Sequence, residues 1–152
     1  MRTVHVLIAS DAQWVVDDVV AALGGPETSF TVCRNGRDVT GVVTARTPDL
    51  AILDLQSGSM GGIAVTMNFR LDESSGALPF IPVLMLLDRT ADVFLAKRSG
   101  ADGWLIKPLD ALQIQRAVKA ILDPDVNVHP PVGTTAEDNG SDLVGLDSIA
   151  GE

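Results

Sequence analysis

The 152-residue chain is 46% hydrophobic with a net charge of −9, which excludes a wholly disordered polymer and leaves room for one domain with its own core. The acidity is lopsided: residues 1–122 carry 13 acidic and 11 basic side chains, residues 123–152 seven acidic and no Lys or Arg, so neither part offers the basic stripe of a nucleic-acid binder. No run nears the ~18 apolar residues of a membrane span, no cleavable secretory signal opens the chain, and the single cysteine, Cys33, fits a reducing cytoplasm.

Val4 to Ala9 read as a first strand, and Asp11 to Leu23 as a helix with Trp14, Val15, Val19, Ala22 and Leu23 near helical spacing, stopped by Gly24-Gly25-Pro26. Phe30 to Cys33 form a short second strand. Asn35 or Gly36 opens a second helix running to Arg46, and Thr47-Pro48 closes it. Leu50 to Leu53 are a third, nearly all-apolar strand. Gly62 to Leu71 read as a helix, Asp72 to Gly76 as a linker, Phe80 to Leu87 as a fourth strand and Thr90 to Ser99 as a fourth helix. Trp104 to Ile106 make a fifth strand, and Leu109 to Leu122 a last helix with Leu112, Ala117, Val118 and Ile121 among its apolar positions.

Strands that are apolar throughout, rather than alternating, have both faces covered. The expected fold is therefore α/β: five β–α units in a doubly wound parallel sheet over residues 1–122. Residues 123–152 scatter Pro, Gly, Asp, Ser and Thr without period and are expected to form a disordered acidic tail. Its stretch Leu143-Val144-Gly145-Leu146 has the makings of a short docking motif.

The stretch "AILDLQSGSMGG", residues 51–62, ends an apolar strand on a carboxylate, Asp54. A buried carboxylate is costly unless it is paired, hydrogen-bonded or coordinated. In a doubly wound fold the ligand site lies beyond the carboxyl ends of the strands. Those ends carry Ser10 and Asp11 after the first strand, Asp54 after the third, Leu87 and Asp88 after the fourth, and Lys107-Pro108 after the fifth. Asp11 and Asp54 suit a hard cation such as Mg²⁺, which takes one or two carboxylates plus phosphate oxygens. Lys107 supplies a compact charge for phosphoryl oxygens. That chemistry fits attack by Asp54 on phosphorus to give an aspartyl phosphate.

Plainer readings stand beside these. Asp54 can be a turn residue, Asp11 the N-cap of the first helix, Lys107 an exposed lysine and Trp104 a half-buried packing residue. Ser57 and Ser59 read as loop residues, since the loop is not G-x-S-x-G and has no P-loop ending. His5 reads as structural, His129 lies in the tail, and Cys33 reads as a small buried apolar residue.

Asp11, Asp54, Met60, Gly62 and "GADGWLIKP" at 100–108, set in five β–α units, resemble the receiver domain of bacterial two-component response regulators over residues 3–122. The resemblance implies a flavodoxin-like sheet ordered 2-1-3-4-5 and phosphotransfer to Asp54 from a sensor histidine kinase or phosphotransfer protein. It also implies Mg²⁺ held by Asp11, Asp54 and the Gln56 backbone carbonyl, a phosphoryl contact from Lys107, switch positions at 87 and 104, and a cis bond before Pro108. It further implies a cytoplasmic, stand-alone signalling module that is not an enzyme and does not contact nucleic acid. Such a module acts on a downstream protein through Arg89, Lys97, Arg98 and Trp104, with homodimer pairing left open.

Four departures weaken the match. Ser10 stands where a second acidic residue is usual, and Leu87 where a Thr or Ser hydroxyl meets the phosphoryl group. Ser57-Gly58 replaces Met-Pro, and Trp104 replaces Tyr or Phe. Asp88 near a phosphoryl group would repel it rather than anchor it. The alternative function is thus a phosphorylation-independent pseudo-receiver that binds partner proteins. A flavin or nucleotide carrier is a third reading, disfavoured because Ser10-Asp11-Ala12-Gln13 lacks the glycine-rich turn.

Overall fold

A computed structural model describes residues 3–56 and 60–123, together with the backbone of 132–133. In chain order the elements are β1 (Val4–Ala9), α1 (Gln13–Leu23), β2 (Thr28–Cys33), α2 (Val39–Ala45), β3 (Leu50–Asp54), α3 (Gly62–Ser75), β4 (Val83–Leu87), α4 (Val93–Ser99), β5 (Gly103–Ile106), α5 (Ala111–Leu122) and β6 (Val132–Gly133). Short 3₁₀ turns, Gly36–Asp38 and Thr90–Asp92, lead into α2 and α4.

The five expected strands run parallel in the order 2-1-3-4-5. β6 adds two residues at the open edge of β5, with Val132 opposite Gly103 and Gly133 opposite Trp104. Val132–Gly133 falls within the tail expected to be disordered and is instead paired; the rest of 124–152, with His129 and the Leu143–Leu146 motif, lies outside the described residues, as do Ser57, Gly58 and Ser59.

Alternate residues of each central strand feed two separate cores. Leu7, Ala9, Leu53, Met85, Leu87 and Trp104 pack with Val39, Val43, Val65, Phe69 and Ala96 from α2, α3 and α4. Val6, Ile8, Ile52, Leu84, Leu86 and Leu105 pack with Val15, Val19, Ile114 and Ala117 from α1 and α5. Each fully buried aliphatic side chain contributes about 1.5–3 kcal/mol against exposure. This two-sided burial leaves only the strand ends for polar work.

Several boundaries differ from the expected ones. α3 continues through Asp72, Glu73, Ser74 and Ser75 instead of giving way to a linker. Exposed polar residues do not break a helix whose other face is packed, and the stop comes at Gly76, whose φ of 86° is the left-handed C-cap conformation. β4 starts at Val83, not Phe80, after the extended stretch through Pro82, which has no N–H to donate. α1 starts at Gln13, and Asp11 is not its cap: the N-cap is Ala12 and has no side-chain cap bond.

His5 is structural, as expected: its ring nitrogens meet the Ser29 and Thr31 hydroxyls at 2.9 and 3.0 Å, and burial lowers its pKa. Burial pushes the Cys33 thiol up, leaving it a packing residue. Trp14 and Leu112, expected on apolar helix faces, are half exposed.

Candidate functional site

β3 and β4 end side by side, with Asp54 opposite Leu86. Their parallel register brings the residues after each strand to one edge of the sheet. Asp54 lies at that edge, 2% exposed, so each carboxylate oxygen has to be satisfied by the protein. Its Oδ2 accepts from the Ser10 hydroxyl at 2.8 Å. Its Oδ1 accepts from Lys107 Nζ at 2.8 Å and, at 3.4 Å, from the Gln56 backbone N–H.

Ser10 is fully buried, and its oxygen accepts the Ala12 N–H at 3.1 Å. Its single proton is therefore committed to Asp54. Gly62 seats the start of α3 against β3: a Cβ there would lie 2.8 Å from the Asp54 carbonyl oxygen. The close approach explains why the sequence needs glycine at this point.

The Lys107–Pro108 peptide bond is cis. Lys107 bonds a second carboxylate, Asp88 Oδ1, at 2.9 Å, and its ammonium lies 5.7 Å from the centroid of the Trp14 ring. Burial pulls its pKa down, but the bonds from Asp54 and Asp88 outweigh that and leave it raised above the ordinary lysine value. It is fully charged at neutral pH.

Asp11 is exposed and, among the described residues, no three His, Cys, Asp or Glu side chains are grouped to share an ion. The donor chemistry nonetheless fits Mg²⁺, since Asp54, Asp11 and the Gln56 carbonyl are hard oxygens. A magnesium ion that keeps several waters needs no more than one or two carboxylates.

Leu87 is fully buried in the core shared with Met85 and Trp104. Trp104 is 4% exposed, so it is not part of an outer surface, and its indole N–H has no hydrogen-bond partner among the described residues. Lys97 lies over its ring, 5.7 Å from the centroid. Arg89, Lys97 and Arg98 do reach solvent, Arg89 while paired to Asp92 at 3.2 Å.

Two contacts of Lys107 at this edge, with Trp14 and with Asp88, are not legible in the sequence. Trp14 was read as a core position, although its place three residues after Asp11, in the first turn of α1, already put it beside the strand ends. Asp88 reads from the sequence as one of the carboxylates at this edge and as a repulsive charge near a phosphoryl group; its grip on Lys107 is what the fold adds.

A family profile described as the response regulator receiver domain matches residues 6–119, and the chain belongs to that family. Members of the family are signalling domains that take a phosphoryl group on aspartate with Mg²⁺. The transcriptional regulatory protein CseB of Streptomyces avermitilis is 28% identical over 139 residues, covering 90% of this chain and 57% of that protein. Protein PilH of Pseudomonas aeruginosa is 25% identical over 118 residues, covering 78% and 97%. The chemotaxis response regulator CheY4 of Vibrio cholerae, 23% identical, superposes with a TM-score of 0.70 over 79% of this chain and 99% of that one. The chain spans about half the length of the first curated relatives it matches. Among the described residues no helix is long and apolar enough to cross a membrane.

Proposed function

We propose that this chain is a cytoplasmic receiver that accepts a phosphoryl group on Asp54 from a sensor histidine kinase or phosphotransfer protein and signals through protein contacts. The observation that supports it most is the 2.8 Å contact between Lys107 and the buried Asp54 carboxylate at the carboxyl edge of the sheet. In the transfer an Asp54 oxygen bonds to phosphorus as the donor's P–N or P–O bond breaks, and the leaving group keeps the electron pair. Lys107 meets the charge on the phosphoryl oxygens. Bound at Asp54, Asp11 and the Gln56 carbonyl, Mg²⁺ would neutralise further oxygen charge. Oδ2 of Asp54 reacts only by giving up the Ser10 hydrogen bond, which slows uptake. The contact surface carries Arg89, Lys97 and Arg98 and is suited to a protein target, while the net charge of −9 disfavours nucleic acid; a second copy of the chain can compete for it.

Intact-mass measurement after incubation with Mg²⁺ and acetyl phosphate tests this. A gain of one phosphoryl group is expected in the wild type and not in Asp54→Asn; no gain in either would refute it.

A second reading, a pseudo-receiver that binds partners whatever its phosphorylation state, is favoured by two particular residues. Ser10 occupies an oxygen of Asp54 with its own proton, and Leu87 offers no hydroxyl. On either reading the chain is a signalling module, not an enzyme.

A further inference from the structure

The Lys107 ammonium has three N–H donors and three neighbours: Asp54 at 2.8 Å, Asp88 at 2.9 Å and the face of Trp14. Two of its three donors are therefore committed to carboxylates before any phosphoryl group arrives. Asp54 and Lys107 are buried, whereas the Asp88 side chain is 43% exposed. Of the three partners Asp88 is the carboxylate that can turn into water without opening the core.

We propose that Asp88 is a positioning residue that clamps Lys107, so that a phosphoryl group on Asp54 gains that lysine only when Asp88 releases it. The inference rests on Asp54 being the phosphoacceptor. The clamp acts in two ways. Asp88 occupies the donor that a phosphoryl oxygen needs, and its negative charge, one ammonium away from Asp54, opposes a second anion at the same place. The Trp14 ring lies 5.7 Å from the ammonium as a further neighbour. The site thus holds a resident cation between two carboxylates, one at the end of β3 and one just after β4, and trades the latter for phosphate.

The test is run on the full chain, with Asp88→Asn and Asp88→Glu compared to wild type. Amine acetylation between pH 7 and 10.5, read by peptide mass, reports on Lys107, with Lys97 and Lys119 in the same chain as internal controls. Asp88→Asn is expected to shift the Lys107 profile to lower pH and leave the other two unchanged. The initial rate of phosphoryl gain from acetyl phosphate should rise about fivefold, the scale of a partly exposed ion pair, and Asp88→Glu should restore both wild-type behaviours.

An unchanged Lys107 profile, or an unchanged or slower phosphoryl gain in Asp88→Asn, overturns the clamp even if the wild type is phosphorylated. A shifted Lys107 profile with no phosphoryl gain in any variant upholds the grip on Lys107 and overturns the phosphoacceptor reading instead. Asp88 is surface-exposed, so its variants fold, which far-ultraviolet circular dichroism checks directly.

Discussion

Ser10 has one proton, and it gives that proton to Asp54. A carboxylate in its place would face Asp54 inside a buried pocket, where two like charges close together are costly without a cation between them. Ser10 therefore stabilises the metal-free site, and the same substitution that removes this bond would build a better magnesium site. Ser10→Asp is expected to raise Mg²⁺ affinity by about tenfold, or ~1.4 kcal/mol, while lowering metal-free stability by about 1–3 kcal/mol. Calorimetric titration reads the first, and the melting temperature with and without Mg²⁺ the second. Wild type should melt at nearly the same temperature in both buffers and Ser10→Asp should not. Equal responses would mean that residue 10 does not face the ion. The identities of Ser10, Asp54 and Lys107 were legible from their places after apolar strands. The direction of the Ser10 proton was not, because it depends on the Ala12 N–H, which only the folded turn brings to the oxygen.

At the scale of elements, α3, α4 and the turn into β5 are tied by one side chain. Arg70 donates to the Gly100 carbonyl at 3.0 Å, to the Ile81 carbonyl at 2.9 Å and to Asp102 at 2.8 Å, and lies 4.9 Å from the centroid of Phe80. Burial raises the pKa of Asp102, with the Val83 N–H and Arg70 pulling the other way. Removing the guanidinium would leave that carboxylate short of a partner, which costs more than the pair gains. Arg70→Ala should lose about 2–3 kcal/mol in urea unfolding with an unchanged slope, and Arg70→Lys should recover less than half of it, since a compact ammonium lacks the spread, planar donors with which the guanidinium reaches all three acceptors. Full recovery by lysine would reduce the role to charge alone.

Sequence periodicity could place α3 and β4 but could not find this tie. Arg70 stands 30 and 32 residues from Gly100 and Asp102, and long-range polar geometry leaves no periodic trace. The same limit explains the early end assigned to α3. Asp72, Glu73 and Ser74 read as a linker by composition, and only the tertiary support of the helix, with the left-handed turn at Gly76, decides where it stops. The doubly wound parallel class, by contrast, follows from apolar runs that alternate with helices, because two-sided burial is written directly into composition, whereas the order 2-1-3-4-5 comes only from the family resemblance.

For the whole molecule the question is whether an event at Asp54 reaches the far side of β5. Signal transmission requires an element with two arrangements whose balance the site can shift. Leu87 and Trp104 occupy the positions where the family places such a pair, yet both are packed in one core with Met85, Ala96 and Ala101. Leu87 has no hydroxyl to follow a phosphoryl group, and Trp104 is already buried. The edge of β5 beside Trp104 is moreover paired with Gly133, which adds backbone hydrogen bonds to the resting arrangement. Loading Asp54 with a phosphoryl group or beryllofluoride should therefore leave amide hydrogen exchange across Val93–Ile106 unchanged within about twofold, well under the ~1.4 kcal/mol of a tenfold shift. Protection should change only around Asp54, Gln56 and Lys107. A tenfold change in α4 or β5 on loading would mean that the core itself transmits the signal without a hydroxyl, and the pseudo-receiver reading would then lose its main support.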